Sequence, residues 1–427
     1  MDDSSGKTMG NSSAKTMGNS SGKCMGNSSV KTMGDSSGRT MDDLEEVGKY
    51  FEQHGIANLE EFLKEKLERW KDVEIKFGIT GDSGVGKSTF INAIRGLKVD
   101  DEGAAVTGVK ETTRKATAYS HPKNDKIKFW DLPGIGTPNY PDLDTYSKKV
   151  SLERYDTFLI LTAGRFTHND LQLAKRVKEM KKSFFFVRTK IDQDVDNESD
   201  KNAFNEEATL NDIRGDCLKN LKRSSFGDVA VFLVSNRKTA KWDFARLQEA
   251  ILDVLPLRQK QSLTLSLTSH SKNILKEKVK LLRDQIWMVA AASAVVGAVP
   301  FPGFSFAIDA ILLTKEVNLY KSQLGLPEEN SYEFRRMTPE NQDKVHKFCM
   351  TSAIQTTSLV AAYTASSAVE ETARYIPFLG SLIAGSISFS STYYFLHDCL
   401  NELEETAMAF LDIKSTRVVD DYVNKVD

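Results

Sequence analysis

The segment Gly81-Asp82-Ser83-Gly84-Val85-Gly86-Lys87-Ser88 has the spacing G-x-x-x-x-G-K-S, which suits a polyphosphate ligand. Glycines at Gly81, Gly84 and Gly86 allow the tight turns that aim successive backbone N–H groups at phosphate oxygens. Lys87 would set its charge against the β and γ phosphates, and the Ser88 hydroxyl is a ligand for Mg2+. A helix over Ser88–Arg95, with Thr89 in its first turn, directs its positive end at the same anion. The octet and Thr89 are therefore candidate nucleotide contacts.

Further segments follow in an order that narrows the nucleotide. Asp131-Leu132-Pro133-Gly134 fits D-x-x-G: Asp131 would hold Mg2+ through water, and the Gly134 N–H would meet the γ phosphate. Thr189-Lys190-Ile191-Asp192 resembles the N/T-K-x-D base motif. A carboxylate at Asp192 accepts from both the ring N–H and the 2-amino group of guanine, and adenine lacks that donor pair. The Lys190 stem would lie over the base, and Val234-Ser235-Asn236 fits the short loop that closes on it. Between these lies the Gly- and Thr-rich stretch 103–113, as in a mobile switch loop. Thr107 is the first candidate there to complete the Mg2+ ligands, with Thr112 or Thr113 as alternatives. Ile135 and Gly136 follow Gly134, so the water-positioning glutamine of small signalling GTPases is absent. Slow hydrolysis by the lone chain is expected.

These motifs need a scaffold of alternating elements. Val73, Ile75, Phe77 and Ile79 alternate with polar residues, a strand running into Gly81. Ile127–Trp130 is a strand before Asp131, and Thr157–Leu161 is an apolar strand. Asp170–Lys181 reads as a helix, Ser183–Val187 as a strand buried on both faces, and Val229–Val234 as another strand. Such β–α alternation implies a mainly parallel sheet covered by helices. Residues 44–71 and everything after about 256 read as helix.

The chain has 427 residues, enough for two domains plus tails. With 57 Lys+Arg against 59 Asp+Glu, its charge of −2 gives no reason to expect nucleic acid. The four cysteines are too far apart in sequence for a zinc knuckle or redox pair. Residues 4–43 repeat an octad, first SSGKTMGN, with no aromatic residue; a disordered tail is expected. Met1-Asp2-Asp3-Ser4 does not read as a signal peptide, nor Lys425-Val426-Asp427 as a prenylation box.

Taken together, GDSGVGKS, GAAVTGVKETT, DLPGIG, TKID and VSN resemble the immunity-related (interferon-inducible) GTPases of the GKS type. The resemblance runs from about residue 44 to the end of the chain. It implies an α/β fold: a Ras-like P-loop G domain with a mainly parallel sheet, over 71–255. An all-α helical domain is implied from both chain ends, 44–70 and 256–427. It also implies dynamin-like, GTP-dependent self-association through the G domain, with hydrolysis activated across the dimer. Glu111 stands at the position of the family's switch-loop glutamate, so Lys87, Glu111 and Thr107 are the catalytic candidates. Family members act in cell-autonomous immunity at membranes of pathogen-containing vacuoles. This implies a cytoplasmic protein, peripheral on intracellular membranes. Myristoylated members begin Met-Gly, whereas this chain begins Met-Asp. A tight GTP/GDP-binding regulatory module with little hydrolysis is the alternative.

Three stretches lack charge: Ile286–Ile308, Ser352–Val369 and Tyr375–Leu396. Each approaches the ~20 residues that span a bilayer. Pro300-Phe301-Pro302-Gly303 and Pro377-Phe378-Leu379-Gly380 interrupt the first and third, so buried helical hairpins are expected. Residues 352–369 are the candidate for a switchable membrane contact. Lys272, Lys276, Lys278, Lys280 and Arg283 could form a basic face toward lipid, although a solvated face over a packed stripe is the simpler reading.

Overall fold

The computed structural model describes residues 46–50, 53–54, 58–108, 115–224, 226, 229–297, 304–329, 331–348 and 387–423. Met1–Val47 and Gly48–Asp427 are separate units, and the account below concerns the second. The octad repeat, Glu111, Thr112, Thr113, residues 352–369 and both proline-containing corners lie outside the described residues.

The elements in chain order begin with α1 (Leu59–Glu68), β1 (Ile75–Thr80), α2 (Lys87–Arg95), β2 (Thr117–His121) and β3 (Asn124–Asp131). Next come α3 (Leu143–Val150), β4 (Thr157–Thr162), α4 (His168–Glu179), β5 (Ser183–Arg188), α5 (Ile191–Ser199), α6 (Glu206–Arg223) and β6 (Val231–Leu233). Helices follow: α7 (Phe244–Val254), α8 (Leu257–Ser266), α9 (Lys272–Arg283), α10 (Ile286–Gly297), α11 (Phe304–Leu324), α12 (Tyr332–Arg335), α13 (Pro339–Lys347) and α14 (Ile387–Val423).

The sheet has six strands in the order β2-β3-β1-β4-β5-β6. All neighbours are parallel except the β2–β3 pair. Strand β1 lies between β3 and β4, so the chain leaves its carboxyl end to opposite sides. That is the crevice where open α/β sheets bind ligands. The β1–β3 register sets Ile79 beside Asp131, so the ends of both motif-bearing strands coincide.

Burial explains most of these strands. Every residue of β4 is buried, as a central strand covered on both faces should be. Strand β5 departs from the expectation, because Phe184 and Phe185 are only half-buried while Phe186 and Val187 are buried. The reason is that β6 pairs only with Phe186, Val187 and Arg188, which leaves the start of β5 without a neighbour on that side. Ile79, Phe77, Phe90, Phe129, Leu161 and Phe244 form one apolar cluster between sheet and helices. Removing a buried ring such as Phe90 costs about 3–5 kcal/mol.

A second apolar cluster is drawn from helices and the turns between them, with no strand residue. Leu275, Val279, Ile286, Val317, Tyr320, Phe395, Leu400 and Phe410 are among its members, with Leu67 of α1 packed against it. Ile286 to Ala292, the start of an uncharged stretch, is buried within the protein. No described helix is long and apolar enough to cross a membrane. The solvated face expected over α9 needs one correction: Lys278 is 1% exposed. It faces inward with Ile274, Leu275, Val279 and Leu282.

Candidate functional site

Strand β1 ends at Thr80, and the chain turns at once through Gly81 (φ 138°), Gly84 (φ 80°) and Gly86 (φ 90°). At Gly81 no other residue fits, because a Cβ would lie 2.1 Å from the Leu161 carbonyl oxygen. Gly86, in left-handed conformation, opens α2 at Lys87. The Lys87 ammonium is buried and donates to the carbonyls of Gly81 (2.9 Å) and Asp82 (3.0 Å). It is thus folded back over the loop, onto the carbonyls of its first two residues. Beside it, Ser88 Oγ donates to Asp131 Oδ2 at 2.7 Å, and both residues are buried.

The other motifs attach to this loop. Thr189, fully buried, has its hydroxyl 2.7 Å from the Val85 carbonyl and 3.1 Å from that of Thr162. Lys190 takes a left-handed conformation (φ 61°) and caps α5, whose first turn carries buried Asp192. Ser235 Oγ accepts from the N–H groups of Arg237 and Lys238, while Asn236 Nδ2 donates to the Gly86 carbonyl at 3.1 Å.

One cleft of about 1080 Å3 collects these parts. Ser83, Gly84, Gly86, Lys87, Ser88 and Thr89 line it, as do Thr107 and Gly134, and Lys190 and Asn236. Gly81, Asp82, Val85, Asp131, Thr189, Asp192 and Ser235 are not part of the lining; of these, all but Asp82 are buried. Glu111, lying outside the described residues, is not placed.

Several residues that the motifs did not reveal hold the cleft in shape. Asn92 grips Ala105 with both ends of its amide: Nδ2 donates to Ala105 O (2.9 Å), and Oδ1 accepts from Ala105 N (2.6 Å). Its signal was its place four residues after Ser88, on the same face of α2. Arg95 donates to the Gly103 carbonyl at 2.9 Å. Asn169 donates to the Ile135 carbonyl at 3.2 Å. Asp170 closes a capping box with Thr167 at the start of α4. Burial raises its carboxyl pKa to about 6 against the lowering hydrogen bonds from Thr167, with smaller opposed contributions from Asp82, which raises it, and Lys87, which lowers it. At the far end of α2, Gly96 (φ 71°) sits so close to Thr268 that a Cβ would lie 2.7 Å from Thr268 Oγ1.

The donor set suits a hard divalent cation. Ser88 and Asp131 present a hydroxyl and a carboxylate to each other, all oxygen and no sulfur or imidazole, as Mg2+ prefers.

The family model described as interferon-inducible GTPase (IIGP) matches residues 40–413. Interferon-inducible GTPase 5 of Rattus norvegicus is 33% identical over 86% of this chain and 81% of its own length. T-cell-specific guanine nucleotide triphosphate-binding protein 2 of Mus musculus is 33% identical over 87% of this chain and 90% of its own. Among solved structures, Era of Aquifex aeolicus bound to GDP and aluminium fluoride is 22% identical. It aligns with a TM-score of 0.30 over 51% of this chain and 68% of that one.

Proposed function

The chain belongs to the interferon-inducible GTPase family, and from that premise we propose how its cleft works and when it turns over. It is a GTP-binding GTPase. The observation that carries the reading is a single cleft lined both by Lys87 and Ser88 of the phosphate loop and by Lys190 and Asn236 of the base motifs.

In this reading the glycine-rich loop and the start of α2 take the phosphates. Lys87 leaves the Gly81 and Asp82 carbonyls to meet the β and γ oxygens. Ser88, Asp131 and Thr107 hold Mg2+, which neutralises charge on those oxygens when bound. The Gly134 N–H meets the γ phosphate. Asp192 reads guanine and Lys190 covers it, while Ser235 and Asn236 close the base pocket. Residues 71–255 act as the G domain, with 44–70 and 256–427 as the helical domain.

Ile135, directly after Gly134, stands where small signalling GTPases carry their water-positioning glutamine, so in this reading a second chain supplies what is missing. Pairing of G domains brings Glu111 into use and activates hydrolysis. The protein acts at intracellular membranes, as a peripheral cytoplasmic protein in cell-autonomous immunity.

The test is GTP turnover per molecule against protein concentration, with ATP and Lys87→Ala as controls. Turnover that rises steeply with concentration, is specific for GTP and falls in Glu111→Ala supports activation by assembly. Flat, near-zero turnover with tight GTP binding replaces it with a regulatory binding module.

A further inference from the structure

A smaller cavity, of about 90 Å3, lies apart from the motif-bearing walls of the cleft. Lys123, at the turn between β2 and β3, lines it, as do Ser269 after α8, Lys278 of α9, Gln323 of α11 and Phe410 of α14. Its room is that of about three liquid waters, suited to a tetrahedral oxyanion and too small for a nucleotide.

The polar groups are arranged for an anion. Lys278 Nζ donates to the backbone carbonyls of Leu267 and Gln323. Burial, and Lys123 beside it, push the Lys278 ammonium well below its ordinary pKa, a cost that an anion in the cavity would offset; in its charged form it has three donors, and one remains. Lys123 Nζ donates to the Ser322 carbonyl at 3.3 Å. No Asp or Glu lines the cavity among the described residues. Ser269 Oγ and Gln323 Oε1 are buried without a hydrogen-bond partner among the described residues, and Gln323 is 5% exposed. Two lysines around one hole with no counter-charge are costly, as are unpartnered buried polar atoms.

We infer that this cavity binds a phosphate-type oxyanion. Its oxygens take hydrogen bonds from Lys123, Lys278 and Ser269. Hydrogen phosphate also carries an O–H that can donate to Gln323 Oε1, which sulfate lacks at neutral pH. The site adjoins the nucleotide cleft, because Thr268 lines both cavities.

The experiment is thermal denaturation of the full chain, saturated with GDP and Mg2+. Potassium phosphate is compared with potassium chloride and potassium sulfate at equal ionic strength. Phosphate raises Tm, and sulfate raises it less. Lys123→Met, at the exposed rim, and Ser269→Ala each raise the phosphate concentration for half the increment by about tenfold, the loss of one charge-assisted hydrogen bond. In nucleotide-free Lys87→Ala the increment persists. No phosphate-specific increment overturns the inference, as does one that survives both cavity variants or vanishes in Lys87→Ala. Sedimentation with phosphatidylcholine vesicles, with and without phosphatidylinositol 4-phosphate, identifies the source. Binding that Lys123→Met abolishes and free phosphate competes assigns a lipid headgroup, whereas an increment without vesicle binding assigns the free ion.

Discussion

On the side of the cleft carrying Lys190 and Asn236, the loops are fastened to the phosphate loop itself, through Thr189 to Val85 and through Asn236 to Gly86. On the side carrying Thr107 and Gly134, the fastenings lie further back, with Asn92 on Ala105 and Asn169 on Ile135. Thr107 itself is half-exposed, and Val106 beside it is 69% exposed. One side is therefore built as a fixed seat, and the other is held at its roots with its ends available to move. Affinity for nucleotide and response to the γ phosphate should be separable by mutation.

The largest expected effect tests the fixed side. Asp192→Asn leaves guanine's donors facing a donor, and GTP binding falls by about 10^4-fold, read by titration with fluorescent GTP. Xanthosine triphosphate should then bind better than GTP; unchanged preference removes Asp192 from base reading. Gly81→Ala comes next. Its Cβ collides with the Leu161 carbonyl, and an imposed distortion of about 3 kcal/mol weakens GDP by about a hundredfold. Circular dichroism checks that the sheet survives.

Asn92→Ala tests the other side. It frees both backbone groups of Ala105 at a cost of about 1–3 kcal/mol. The protein concentration for half-maximal turnover should rise, while GDP affinity stays within about twofold. Equal loss of both would erase the contrast between the two sides.

His121, at the end of β2, extends the contrast to acid. Burial holds its imidazole pKa at about 3, below the ordinary 6.5, and the charges of Lys123, Arg95 and Lys278 add to this. The unfolded chain then takes up a proton that the folded chain refuses. Stability should fall as pH drops from about 6.5 toward 3, by about 1.4 kcal/mol per pH unit. In His121→Asn that part of the slope should vanish in urea melts across this range; an unchanged slope assigns it elsewhere. Thr189→Val has the smallest effect. Loss of its hydroxyl bond to Val85 costs about 1 kcal/mol, seen as about fivefold weaker GDP with the concentration dependence of turnover unchanged.

The phosphate loop and the strands that lead into it were legible because their chemistry admits few residue types, and because β1 and β4 are apolar where they are covered. Strand β2 was not. Thr117 to His121 is polar and mostly exposed, and its place comes from antiparallel pairing with β3, which no local period encodes. Helix α6 was missed for a similar reason, since of its residues only Cys217 and Leu221 are buried. Lys278 was misplaced because spacing shows which face a residue takes but not that carbonyls from two other segments await an ammonium there. Asn92 was overlooked because its place one turn after Ser88 marks a face of the helix but not the loop that folds against that face.

The helix that starts at Lys87 has a second end. Nine residues carry it about 13 Å from the phosphate loop to Gly96, which meets Thr268 too closely for even a methyl group between them. A body that short hardly bends, so it is shaped like a pushrod: any shift of its first turn would reach Thr268 nearly undiminished, and an anion wedged behind Thr268 would set the stop against which that shift ends.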